Sequence, residues 1–194
     1  MSRIRAVLFD LDGTLLDSAP DLVAALNFVR AAEGLAALSV DNMARHVSRG
    51  AVGLLLAGMP EADAEQFQLW KASLLTRYAK NSFNHSVLYS GIPKVLDFLA
   101  RSDIPWGIVT NKLTALTMPI LRAAGLQDSV SCVVCGDTLN RAKPDPAPVE
   151  LACRILGVPV EATLFAGDDV RDIEAGRAAG TMTAAVKYGY GSTN

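Results

Sequence analysis

The sequence predicts an α/β fold: a doubly wound parallel sheet with a helical subdomain inserted after the first strand. Three observations predict it. Short apolar runs rich in β-branched residues alternate with stretches of helical periodicity. Strand, helix, strand in alternation requires crossover connections, and these build a parallel sheet covered on both faces. Residues 17–85 interrupt the alternation with helical periodicity and no convincing strand, so they form a block of their own. The expected organisation is a core of residues 1–16 and 86–194 with the helical block at 17–85.

In chain order, the first strand is expected over residues 4–9, ending in AVLF. In the inserted block, Ser18-Ala-Pro-Asp21 has the pattern of a capping box ahead of LVAALNFV, and further helices are expected over 40–59 and 62–80. Back in the core, Pro93 opens a helix through KVLDFLAR, and the second strand is expected at 105–109. The segment LTALTMPILRAAG reads helical, but Pro119 inside it predicts a kink or a late start. Strands over 130–135, 162–166 and 182–186 complete the sheet. Between them, Pro148 opens VELACRIL, which Gly157 ends, and a last helix runs from about 169 to 179 and stops at Gly180.

Composition suits a globular domain and narrows the function. The 194 residues are 51% hydrophobic and 20% charged, far from a disordered composition. A net charge of −2, with acids and bases interspersed, gives no electrostatic case for nucleic acid or an anionic membrane. No apolar run approaches a membrane span and no signal sequence opens the chain, so a cytoplasmic monomer or homodimer is expected. Cys132 and Cys135 form C-V-V-C, a spacing found in zinc and redox sites. Here it lies on a strand candidate, where residues three apart point to opposite faces. With no second such pair, these cysteines and Cys153 read as structural.

The ends of the strand candidates carry the chemical information. After AVLF come Asp10, Asp12, Gly13 and Thr14; after WGIV, Thr110 and Asn111. After SCVVCGDTLNRA comes Lys143, and after TLFAG come Asp168, Asp169 and Asp172. Open α/β sheets bind ligands outside the carboxyl ends of their strands, so these side chains converge on one edge. Asp10 and Asp12 are two apart on an extended segment and face the same way. Asp168 and Asp172 share a face at a helix start. Such an acidic cluster suits a hard divalent cation, Mg²⁺ above all. A calcium loop is excluded: counted from Asp10, its sixth and twelfth places hold Leu15 and Asp21 instead of Gly and Glu. With Lys143, the threonines and the backbone N–H groups around Gly13 as anion donors, the set describes phosphoryl transfer.

These residues resemble the haloacid dehalogenase superfamily of phosphatases, whose four ordered motifs are matched by DLDGTLLDS, VTN, the lysine of AKPDP, and GDDVRD. The likeness runs from residue 4 to about 190, and the helical block resembles the family's mobile cap on its Rossmann-like core. Within the family the chain is most similar to phosphoglycolate phosphatases. The run GDDVRDIEAGRAAGTMTAAVKYGYG also resembles bacterial phosphatases of N-acetylmuramic acid 6-phosphate. The resemblance implies that Asp10 attacks phosphorus, that Asp12 protonates the leaving alcohol and then activates water, and that Lys143 neutralises charge. It implies Thr110 and the Asn111 N–H as phosphate donors. Mg²⁺ would be held by Asp10, Asp168 and the Asp12 carbonyl, with Asp172 in support. The acid–base role asks Asp12 for a raised pKa, which a neighbouring carboxylate tends to supply. Asp17 falls outside the chemistry.

The substrate is expected to be a small phosphate ester. In HVSRGAVGLL, Ser48, Arg49 and Gly50 fall where the family's specificity loop is expected. Arg49 either pairs with a substrate carboxylate or is a solvated surface arginine. Family members usually continue for another strand and helix where this chain stops, so either the sequence is a shortened one or an edge of the sheet is missing. Two other readings differ in class or outcome. A phosphomutase would need the cap to retain and turn the intermediate. A signalling receiver domain has its acid pair on the first strand and its acceptor on a middle one, and has no place for the helical block.

Overall fold

A computed structural model of the chain describes residues 4–191. The chain divides into two compact units, Met1–Leu16 with Leu88–Asn194, and Asp17–Val87. Strand β1 (Ala6–Phe9) leads to the two-residue β2 (Leu16–Asp17). The second unit then runs through α1 (Ala19–Ala32), α2 (Val40–Met43), a 3-10 helix (Ala44–Arg49), α3 (Gly50–Gly58) and α4 (Ala64–Lys80). Another two-residue strand, β3 (Val87–Leu88), pairs with β2. The first unit resumes with α5 (Ile92–Arg101), β4 (Trp106–Val109), α6 (Thr114–Ala123) and β5 (Cys132–Val134). It ends with α7 (Ala147–Leu156), β6 (Thr163–Gly167), α8 (Val170–Ala179) and β7 (Met182–Ala185).

The sheet of the first unit has the order β5-β4-β1-β6-β7, and its pairs are parallel. From central β1 the chain lays β4 and β5 on one side, then crosses to lay β6 and β7 on the other. That reversal is what doubly wound means, and it opens a crevice at the carboxyl end of β1. Every residue of β1 and β4 is buried, as strands covered on both faces require. One face joins Leu8, Val109, Val134 and Phe165 to Val149, Ala152 and Cys153 of α7 and Ala175 and Ala179 of α8. The three cysteines are buried free thiols within this unit.

Four local expectations need correction. The helix containing Pro119 starts at Thr114, well before the proline. Pro119 and Ala115 both lie on the exposed side of the helix, where losing one backbone bond does not leave a group buried in the core. The helix expected over 40–59 is three pieces, because Gly50 takes φ 63° and ψ −157° and ends the 3-10 turn. The sequence shows no convincing strand over 17–85, yet β2 reaches Asp17 at the edge of that block to meet β3 just beyond it, and a two-residue ladder is too short to leave a period.

The capping box at Ser18 and Asp21 does not form, and Ser18 makes no side-chain cap. Asp21 is 2% exposed and turns to the far end of its own unit. There it accepts from the N–H groups of Asn84, His85 and Ser86 at 3.0, 3.0 and 2.9 Å, and from Ser86 Oγ at 2.6 Å. Several donors on one buried carboxylate outweigh a single cap bond. Elsewhere in this unit, Asp63 caps α4 and Trp70 Nε1 donates to Glu33 at 2.9 Å.

Candidate active site

The acids cluster because neighbouring strands end together. Phe9 lies in register with Ile108 of β4 and Ala166 of β6, and the Asp10 N–H extends the ladder to the Ala166 carbonyl at 2.9 Å. Asp10 therefore leaves β1 level with Val109 and Gly167, one residue before Thr110 on one side and Asp168 on the other. The chain then turns tightly at Gly13, whose φ is 88°. A Cβ there would stand 2.3 Å from Asp168 Oδ2, so glycine is required for both the conformation and the space. At the end of β6, Gly167 lets Asp172 fold back, since a Cβ would lie 2.3 Å from that carboxylate.

Lys143 sits at the centre. Its Nζ is 2.7 Å from Asp10 Oδ1, from Asp172 Oδ1 and from the Val109 carbonyl, which uses all three ammonium donors. It lies 5.5 Å from the Phe165 ring centroid, and the residue is 5% exposed. Burial alone would discharge such an ammonium, but Asp10 and Asp172 reverse that and raise its pKa. Burial raises the Asp10 carboxyl to about 6, against the pull of Lys143 and with the push of Asp172. Burial, then the charge of Asp10, raises Asp168 as well.

Asp168 is fixed from two directions. Thr14 Oγ1 donates to its Oδ1 at 3.0 Å, and the N–H groups of Tyr190 and Gly191 donate to its Oδ2 at 2.8 Å each. Those amides belong to the segment after β7. That segment is tied down by Tyr188, whose hydroxyl donates to the Thr14 carbonyl at 3.0 Å and whose ring stacks on Tyr89 at 4.6 Å. Asp172 accepts from the Asp169 N–H at 3.0 Å, closing a capping box on α8.

Asp10, Asp168 and Asp172 bring one oxygen each to within 4.8 Å of one another. The Lys143 ammonium pairs with two of these carboxylates, Asp10 and Asp172, so the three together keep negative charge that a hard divalent cation would balance. The residues fit such an ion.

The haloacid dehalogenase-like hydrolase family model matches residues 4–180. The chain belongs to that family. It is 43% identical over 192 residues to an N-acetylmuramic acid 6-phosphate phosphatase of Pseudomonas putida, covering 97% of this chain and 85% of the relative. It is 38% identical to a phosphoglycolate phosphatase of Xanthomonas campestris pv. campestris, covering 96% and 84%. Among solved structures it resembles a predicted phosphoglycolate phosphatase from Haemophilus somnus, with a TM-score of 0.88 and 31% identity over 98% of this chain and 88% of that one. The chain is thus a phosphatase, a hydrolase of phosphoric monoesters.

Against this hydrolase geometry, the residues singled out from the sequence take different places. Asp10, Lys143, Asp168 and Asp172 meet directly. Thr110 is buried beside them, while Asn111 is exposed at its backbone turn and spends its side chain on Lys143. Asn111 Nδ2 donates to the Lys143 carbonyl at 2.9 Å, and the Lys143 N–H donates to Asn111 Oδ1 at 3.0 Å. Of the N–H groups around Gly13, two are engaged within the turn: Gly13 donates to the Leu16 carbonyl at 2.9 Å and Thr14 to the Leu11 carbonyl at 3.3 Å. These bonds are what make the turn tight. Ser48, Arg49 and Gly50 belong to the second unit, at the join of the 3-10 helix and α3, and Arg49 is exposed.

The carboxylate of Asp12 is not part of that three-acid cluster and pairs instead with Lys112, a residue that sequence reasoning passes over. Lys112 Nζ is 2.6 and 2.7 Å from its two oxygens. A signal for it exists, since Lys112 comes directly after Thr110-Asn111 at a strand end. The tyrosines and glycines of YGYG, which brace Asp168, are equally visible in the sequence but carry no chemistry of their own.

Proposed function

We propose that this phosphatase uses Mg²⁺ and an aspartyl-phosphate intermediate to hydrolyse a small phosphate ester that carries a carboxylate. The observation that carries the reading is the cluster of Asp10, Asp168 and Asp172 around Lys143, with Asp12 beside it. Asp10, Asp168 and Asp172, with the Asp12 carbonyl, would hold the cation, which screens the charge of the phosphoryl oxygens when bound. A carboxylate of Asp10 attacks phosphorus, and the ester P–O bond breaks as protonated Asp12 gives its proton to the leaving oxygen. Asp12, now a carboxylate, takes a proton from water as that water's oxygen attacks phosphorus. The Asp10–phosphorus bond breaks and inorganic phosphate leaves. Lys143 and Thr110 hold the charge that shifts between oxygens.

Both substrates named for the relatives, 2-phosphoglycolate and N-acetylmuramic acid 6-phosphate, are phosphomonoesters bearing a carboxylate. The Pseudomonas relatives stand at 43% and 42% identity, above the 38% of the Xanthomonas phosphatase, which favours the sugar acid ester. Phosphate release should be compared on both esters, on sugar phosphates lacking a carboxylate and on nucleotides. A higher kcat/KM on N-acetylmuramic acid 6-phosphate is expected. Preference for 2-phosphoglycolate would select the second reading, and preference for uncharged sugar phosphates would overturn the carboxylate requirement.

A further inference from the structure

Lys112 has no part in the chemistry assigned to the other residues, yet it grips the acid–base carboxylate. Its Nζ meets both Asp12 oxygens, at 2.6 and 2.7 Å, and its side chain is 7% exposed against 18% for Asp12. A loose surface ion pair would be wide open to water; this one is not. The backbone of Lys112 is pinned on both sides. Its N–H donates to Thr110 Oγ1 at 3.2 Å, and its carbonyl accepts from the Gly136 N–H at 2.9 Å. The ends of β4 and β5 thus both fix it. Asp12 is held in turn by a backbone bridge to Leu16. The ion pair spans two anchored turns.

We propose that Lys112 is a positioning residue that holds the Asp12 carboxylate in the orientation proton transfer requires. This rests on the phosphatase reading and on the role of Asp12 within it. In this assignment Lys112 acts through Asp12, the side chain its ammonium meets, and makes no contact of its own with the phosphoryl group. Proton transfer demands heavy atoms within about 2.6–3.2 Å, and a carboxylate free to turn about its side-chain bonds spends much of its time outside that range. An ammonium with three donors keeps hold of one oxygen while the other exchanges its proton with the ester oxygen and later with water. The rival assignment makes Lys112 a cation for the phosphoryl group itself.

The two assignments separate by leaving group. The kcat/KM of wild type, Lys112→Gln, Lys112→Arg, Asp12→Asn and the Asp12→Asn/Lys112→Gln double variant should be measured on p-nitrophenyl phosphate and on an alkyl phosphate. Aryl phosphates with an acidic leaving group need little protonation, whereas alkyl esters need it fully. Lys112→Gln is expected to lose about 10–100-fold on the alkyl ester, within the roughly 10²–10⁴ that general acid catalysis supplies, and less than about threefold on the aryl ester. Lys112→Arg should recover most of the loss. In the Asp12→Asn background, Lys112→Gln should add less than about threefold, because residues acting as a unit are not additive. Equal losses on both esters, no loss on either, or a full multiplicative loss in the double variant would each overturn the proposal. Wild type idle on every ester would overturn the phosphatase reading itself. Asp12→Asn losing both esters equally would remove the role of Asp12 and that of Lys112 with it. If Lys112→Gln does not fold, the Lys112→Arg and Asp12→Asn profiles make the same comparison: an alkyl-selective deficit in Lys112→Arg that vanishes beside Asp12→Asn supports the proposal, and an equal one overturns it.

Discussion

Asp10 and Lys143 each carry a structural consequence besides their chemistry. Asp10→Asn replaces a carboxylate by an amide that is neither a competent nucleophile nor a good ligand for a hard cation. Phosphate release should vanish while the circular dichroism spectrum stays that of wild type; turnover by this variant would sink the mechanism. Lys143→Ala leaves Asp10 and Asp172 facing each other without their shared ammonium. Breaking a buried pair in this way costs about 3–5 kcal/mol, to be read from denaturant unfolding. Added Mg²⁺ should return part of that stability. In the second unit, Arg49→Ala tests the substrate carboxylate. A charge-assisted hydrogen bond is worth about 1.5–3 kcal/mol, so acidic esters should lose roughly that much in kcat/KM while p-nitrophenyl phosphate loses far less. Equal losses would make Arg49 structural. The acids and Lys143 are legible in the sequence because reactive side chains at successive strand ends stand out against apolar runs. The partners of those side chains are not. Which amide braces Lys143, or which lysine holds Asp12, depends on turn geometry that a one-dimensional pattern does not encode.

Elements are legible in proportion to their length. Parallel strands buried on both faces leave continuous apolar runs, and each of the five sheet strands falls inside or within one residue of its expected span. At the start of α1 a cap competes with tertiary contacts and loses. The Ser18–Asp21 pattern predicts a local box, but Asp21 instead closes the helical unit by accepting from Asn84, His85 and Ser86. Sequence cannot weigh a bond three residues away against three bonds about 65 residues away. The energetics make the choice testable. Asp21→Ala leaves the amides of Asn84, His85 and Ser86, and the Ser86 hydroxyl, without their acceptor. The loss should be at least about 3 kcal/mol, since several charge-assisted hydrogen bonds go together. Ser18→Ala should cost clearly less by the same assay, because Ser18 supplies no side-chain cap and takes away one neutral hydroxyl, where Asp21→Ala takes away a charged acceptor of several bonds. Comparable losses in the two variants would restore the capping box as the device that matters.

At the scale of the whole molecule, folding assembles an acidic cluster that the unfolded chain never experiences, and this links stability to pH and to the cation. Asp10 has a folded pKa of about 6 against an ordinary 3.8, chiefly through burial, and Asp168 is shifted the same way. A carboxyl with a raised folded pKa binds its proton more tightly in the native state, so stability falls as pH rises through the interval between the two values. For Asp10 that interval is about 3.8 to 6, and above it the full cost of the charge is present. The groups shifted otherwise act outside this window. At Asp169 burial is outweighed by the hydrogen bonds and charge of Arg171, so its contribution is lost only as pH falls below the ordinary carboxyl range. At Lys143 burial is outweighed by Asp10 and Asp172, and the stability it contributes is lost only at strongly alkaline pH. The metal-free protein should therefore lose stability through Asp10 as pH rises from about 3.8 to about 6, with Asp168 acting in the same direction, and the loss is complete by about pH 7.5. A divalent cation binds the ionised carboxylates, so at the lower pH it must displace protons and at the higher it need not. Ligand stabilisation follows the ratio of free ligand to Kd. The rise in Tm on adding a fixed concentration of Mg²⁺, measured against an EDTA-treated sample, should be clearly larger at about pH 7.5 than at about pH 5. In Asp10→Asn, which removes the titrating group, that difference should shrink. A Tm gain independent of pH in the wild-type protein would mean that the cation binds elsewhere than at Asp10, Asp168 and Asp172.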